Sequence, residues 1–124
     1  METIGKGLII VEDEPLISLM IEDIAHDLGW LVVGSVHTEE DAFRLLGQCQ
    51  PRVALLDINL GLTTSLAVAS SCQDRGIPVI FITGYTARDV PSQCGGAPIL
   101  AKPFSPCDLE RSLKRILTPE NSAA

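Results

Sequence analysis

No stretch of this 124-residue chain approaches the roughly 20 consecutive apolar residues needed to cross a bilayer, so no membrane role is expected. Its first six residues, from Met1 to Lys6, have neither a basic start nor an apolar core, so no signal peptide is expected. Positive charge is scarce. Nine Lys and Arg stand against 16 Asp and Glu, a formal net charge of −7, which argues against a nucleic-acid partner. Cys49, Cys72, Cys94 and Cys107 form no Cys-x-x-Cys pair and have no His nearby, so a zinc site is not expected. They read as free thiols of a cytoplasmic protein. His26 and His37 stand among polar residues and read as surface groups. There are no internal repeats and no low-complexity linker.

What remains is a globular composition, 46% hydrophobic and 20% charged, at the length of one domain. We expect a folded unit over residues 1–118 and a flexible tail over 119–124. Four short apolar runs end in polar residues: Leu8–Val11 in Glu12 and Asp13, Val53–Leu56 in Asp57, Val79–Ile82 in Thr83, and Ile99–Ala101 in Lys102. Such runs read as buried parallel strands. A further strand is expected over Trp30–Val36, with Gly34 inside it.

Helical patterns separate the strands. Pro15 fits a first helical turn, with Leu16, Ile17, Met20, Ile21, Ile24 and Leu28 at helical spacing and Gly29 closing the helix. Thr38-Glu39-Glu40-Asp41 resembles a capping box ahead of Phe43, Leu45 and Leu46, in a helix expected to run to Pro51. A third helix is expected over about Thr64–Gln73. The stretch Asp89–Gly96 contains Pro91, Gly95 and Gly96, so any helix between the fourth and fifth strands should be short or irregular. Ser105-Pro106-Cys107-Asp108 is a strong helix start, and Leu109, Leu113, Ile116 and Leu117 line one face before Pro119.

Five strand–helix units in alternation predict a doubly wound, five-stranded parallel sheet; the flavodoxin-like order 2-1-3-4-5 is the natural choice, resting in part on the resemblance given below. Ligands of such sheets bind beyond the carboxyl ends of the strands, at the switch point between strands one and three. Glu12, Asp13, Asp57, Thr83 and Lys102 would then share one edge. Three carboxylates, a hydroxyl and an ammonium suit a divalent cation together with a phosphoryl group.

These elements are where a resemblance enters. Val11-Glu12-Asp13-Glu14-Pro15, Leu55-Leu56-Asp57, Thr83 and Lys102-Pro103-Phe104, in this order, resemble a two-component response-regulator receiver domain over nearly the whole chain. Phe81-Ile82-Thr83-Gly84-Tyr85 is similar to a subgroup that reads Phe-x-Thr-Gly-Tyr here, many of whose members stand alone. The resemblance is part of the ground for the strand order given above. It implies Asp57 as phosphoacceptor, with Thr83 and Lys102 contacting the phosphoryl group. It implies Mg²⁺ held by Glu12, Asp13, Asp57 and the Asn59 carbonyl, and a cis Lys102–Pro103 bond. The implied protein is no enzyme beyond Mg²⁺-dependent self-phosphorylation and slow autodephosphorylation. Its implied partners are a sensor histidine kinase and an unidentified downstream protein, in a monomer or weak dimer.

The chain also departs from the family pattern. The run after Asp57 is Ile58-Asn59-Leu60-Gly61, where receivers often carry Met-Pro, and Gly61 is expected to loosen that loop. The usual aromatic switch position, three before Lys102, is Ile99. We therefore expect Tyr85 and residues 86–96 to carry the activation change. Other readings are a receiver-fold module that binds without phosphorylation, or the receiver segment of a hybrid kinase. The Met1 start and short tail argue against the second. A haloacid-dehalogenase-type hydrolase would need a second Asp where Asn59 stands. A flavodoxin would need a Gly/Ser/Thr-rich phosphate cradle where the acidic loop stands.

Overall fold

The computed structural model describes residues 7–84 and 97–117. Within them lie β1 (Gly7–Val11), α1 (Pro15–Asp27), β2 (Leu31–Val36), α2 (Glu39–Leu46), β3 (Val53–Asp57), α3 (Leu66–Asp74), β4 (Val79–Thr83), β5 (Ile99–Ala101) and α4 (Pro106–Leu117). The expected irregular helix at Asp89–Gly96, Tyr85, Cys94 and the tail 119–124 fall outside the described residues. The strands form one parallel sheet in the order β2-β1-β3-β4-β5, the flavodoxin-like order read from the sequence.

Alternation within each strand decides which layer a residue joins. Leu8 and Ile10 of β1, with Val53 and Leu55 of β3, pack against Ile21 and Ala25 of α1 and Leu109 and Leu113 of α4. Ile9 and Val11, with Ala54 and Leu56, pack on the other face against Ala42 and Leu46 of α2 and Val68, Ala69 and Cys72 of α3. Every residue of β1, β3 and β4 is buried, because helices cover both faces. Burial pushes the Cys72 thiol up to about 11 against the pull of Arg75, which leaves it an unreactive core group.

Capping chemistry sets the helix starts. The Thr38 hydroxyl accepts from the Asp41 N–H at 3.1 Å. At α4, Ser105 Oγ accepts from Asp108 N and Asp108 Oδ2 accepts from Ser105 N, a reciprocal box. The second helix stops earlier than Pro51, at Leu46 with Gly47 as its C-cap. Helix α1 corrects one expectation. Leu16 is 81% exposed and Met20 also faces solvent, because the face turned to the sheet runs through Ile17, Ile21, Ile24, Ala25 and Leu28. That rotation buries Ser18 instead, and its hydroxyl pairs with Ser35 of β2.

Strand β2 carries a register shift against β1. Leu8 pairs with Val32 and Ile9 with Gly34, so Val33 is an extra, bulged residue. The shift brings Gly34 beneath α2, where a Cβ would come within 2.5 Å of the Leu45 side chain. Glycine is there for close approach. Gly34→Val should lower the unfolding free energy by about 1–2 kcal/mol, the usual scale of overpacking. Gly34→Ala should lose less, since only the far end of Leu45 must rotate. Urea unfolding measures both, and a Val variant as stable as the parent would refute the packing account.

Candidate functional site

The carboxyl ends of β1, β3, β4 and β5 deliver the site. Strand β1 runs into Glu12 and Asp13, β3 ends on Asp57, and β4 ends on Thr83. The Lys102 N–H donates to the Thr83 carbonyl at 2.8 Å, which sets Lys102 beside the end of β4. The Lys102–Pro103 bond is cis. A cavity of about 400 Å³ opens over this edge. It is lined by Asp13, Glu14, Asp57, Asn59, Gly61, Thr83, Gly84 and Lys102.

One oxygen each from Glu12, Asp13 and Asp57 can be chosen so that all lie within 4.8 Å of one another. Lys102 Nζ sits 3.0 Å from Glu12 Oε1, 3.3 Å from Asp57 Oδ2 and 3.7 Å from Glu14 Oε1. Glu12 is fully buried, Asp57 and Thr83 are nearly so, and the Lys102 side chain is 17% exposed. Every sequence-expected site residue is thus at one edge, with Asn59 on the wall of the same cavity.

Burial pushes the Glu12 carboxyl up to about 7. The Lys102 ammonium opposes that rise and the neighbouring Asp57 adds to it. Burial also raises Asp57, opposed by Glu12, Lys102 and the Asn59 N–H that reaches its Oδ1 at 3.3 Å. Lys102 is held above its ordinary value: burial works against its charge, but the Glu12 and Asp57 carboxylates outweigh it. Glu12 Oε1 is buried and the Lys102 ammonium, 3.0 Å away, is the cation it faces. A buried carboxylate oxygen in that position, facing two more carboxylates, fits a hard oxygen-seeking cation such as Mg²⁺.

A pH dependence follows. Between its ordinary value of 4.5 and about 7, folded Glu12 holds a proton that the unfolded chain has released. The metal-free protein should therefore lose stability as pH rises through that window and level off above it. Urea midpoints in EDTA at several pH values measure this. Glu12→Gln should flatten the slope, and an unchanged slope would refute the assignment.

Two residues passed over in the sequence support the site. His37 is exposed as expected, yet its Nδ1–H donates to the Glu12 carbonyl at 2.8 Å, while the Glu12 N–H donates to Val36 O. Together they pin the backbone of Glu12 to the end of β2. The Glu14 N–H donates to Glu12 Oε2 at 3.2 Å. Backbone contacts close the loop after Asp57: Asn59 and Thr64 form a bridge, Leu60 N bonds Thr63 O, and Ser65 N bonds Ile58 O. Gly61 supplies the turn between them with φ of +83°, a conformation that favours glycine.

An acidic cluster, a hydroxyl and an ammonium at the switch-point edge of a flavodoxin-like sheet place the chain among doubly wound proteins that bind their ligand at that edge. Residues 8–114 match the family model of the response regulator receiver domain, and the chain belongs to that family, the receiver domain of two-component systems. It is 32% identical over 120 residues to the phyllosphere-induced regulator PhyR of Methylorubrum extorquens, covering 94% of this chain and 45% of that protein. The solution structure of SdrG from Sphingomonas melonis Fr1 is similar at 35% identity and a TM-score of 0.82, covering 91% of this chain and 97% of that one. The crystal structure of the anti-anti-sigma factor PhyR from Bartonella quintana is similar at 33% identity and a TM-score of 0.78, covering 94% of this chain and 49% of that one. The chain spans about half the length of the curated relatives it matches. Receiver domains are regulatory phosphoacceptors that bind Mg²⁺ at an acidic site, and Glu12, Asp13 and Asp57 form such a group here. No helix among the described residues is long and apolar enough to cross a membrane.

Proposed function

We propose that the chain takes a phosphoryl group from the phosphohistidine of a sensor kinase onto Asp57 and releases it slowly to water. A carboxylate oxygen of Asp57 forms a bond to phosphorus as the phosphorus–nitrogen bond breaks, and the imidazole leaves with the electron pair. The observation that carries this reading is the Lys102 ammonium 3.3 Å from Asp57 Oδ2, beside the buried Thr83. Lys102 would move its charge onto the phosphoryl oxygens, and the Thr83 hydroxyl would donate to one of them. Glu12, Asp13, Asp57 and the Asn59 carbonyl would hold Mg²⁺. When bound, the ion neutralises the carboxylates and the charge of the incoming group.

In this reading residues 1–118 are the receiver, residues 119–124 a tail, and the protein acts in the cytoplasm. Output passes through phosphorylation-dependent protein contacts. The likeness to a relative described as an anti-anti-sigma factor supports a sigma-factor regulator as one class of downstream partner. Phosphotransfer profiling against the sensor kinases of the source organism tests the reading. One kinase should transfer with a marked kinetic preference, and no transfer from any of them would count against it.

A further inference from the structure

Glu14 is the carboxylate that this chemistry leaves unused. It occupies the N-cap of α1, yet its side chain makes no capping hydrogen bond. Glutamate is not among the residues favoured at that position. Its Oε1 instead lies 3.7 Å from Lys102 Nζ. Three carboxylates thus surround one ammonium. Glu12 and Asp57 are buried, whereas Glu14 is 64% exposed and lines the cavity beside Asp13. Glu14 is therefore the most exposed of the three carboxylates and the first that an entering donor meets.

We propose that Glu14 is a specificity-determining positioning residue that selects against small, free, dianionic phosphodonors. This rests on Asp57 being the acceptor. Glu14 acts in two ways. It places a negative charge at the entrance, which repels a phosphate dianion arriving without a protein around it. It also holds the resting ammonium, so Lys102 must leave Glu14 to reach the phosphoryl oxygens. A phosphohistidine carried on a docked protein arrives with its own surface charges and is less sensitive to the first effect.

Acetyl phosphate is the probe. With it, an Asp57 oxygen bonds to phosphorus, the bridging phosphorus–oxygen bond breaks, and acetate leaves with the electron pair. Total charge is unchanged and no proton is taken up. Phosphorylation rates at saturating Mg²⁺, read by intact mass, should be about three- to tenfold higher in Glu14→Gln than in the parent, the scale of one unscreened charge near the entrance. The difference should shrink as NaCl rises from roughly 0.05 to 0.5 M, because exposed charges are screened. Glu14→Ser, which restores a favoured N-cap, should accelerate equally and so separates charge from helix stability. Asp23→Asn, further along the same helix with the same change in net charge, should keep the parent rate. A Glu14→Gln rate equal to or below the parent's, or a difference that salt leaves intact, would overturn the proposal. If the parent itself accepts no phosphoryl group from acetyl phosphate or from any kinase, the phosphoacceptor reading falls and this one with it. If the parent is phosphorylated and Glu14→Gln is no faster, only the role of Glu14 falls.

Discussion

Acetyl phosphate with Mg²⁺ will add one phosphoryl group to this protein, and Asp57→Asn will add none. The substitution is nearly isosteric, so it keeps the end of β3 in place. An amide, however, is not a nucleophile toward phosphorus. The product should be an acyl phosphate, labile to acid and to hydroxylamine. Asp13 and Glu12 lie near enough to be rival acceptors, but Glu12 is fully buried outside the cavity lining, and Asp13 lacks the Lys102 contact that Asp57 has. Intact mass before and after hydroxylamine decides the matter. Stoichiometric acid-labile phosphate on the Asp57→Asn protein would show the assignment to be wrong.

The second large effect is on stability. Glu12, Asp13 and Asp57 repel one another, and a divalent cation relieves that repulsion. Mass action makes a ligand at 100 times its Kd worth about 2.7 kcal/mol. For a domain of this size, that raises the melting temperature by on the order of 10 °C. Asp13→Ala should abolish the rise: it removes a ligand and leaves the buried Glu12–Lys102 pair in place. Thermal unfolding across millimolar Mg²⁺ at pH 7.5 is the measurement. A melting temperature that does not move would exclude cation binding at this edge.

The gathering of Glu12, Asp13, Asp57, Thr83 and Lys102 at one edge was legible in the sequence because each follows an apolar run, and a parallel sheet delivers such positions to one edge; Asn59, in the loop beyond β3, came only with the family resemblance. The helix starts were legible because their chemistry is local. Thr38 and Ser105 cap the N–H groups three residues on, which spacing alone foretells. The contacts that tune the site were not legible, because they depend on how elements meet. Nothing near Glu14 in the chain indicates that its carboxylate turns to Lys102, 88 positions away. The reach of His37 to the Glu12 carbonyl depends on where β2 ends beside β1. The stripe on α1 was misread for a similar reason. Leu16 and Met20 fit helical spacing as well as Ile21 does, and only the angle at which α1 meets the sheet separates them. The expectation that Tyr85 and residues 86–96 carry the activation change falls outside the described residues.

The bulge at Val33 bears on how this protein behaves in company. Among the described residues strand β2 is a margin of the sheet, with Leu31 and Val33 exposed along it. A straight margin of that composition is a template on which another chain can add a strand, and so a starting point for aggregation. One supernumerary residue in the middle of a six-residue strand breaks the regular spacing of its free amide and carbonyl groups. An incoming strand can then follow the margin only briefly before falling out of step. The irregularity that seats Gly34 under α2 thus also works against strand addition along this margin.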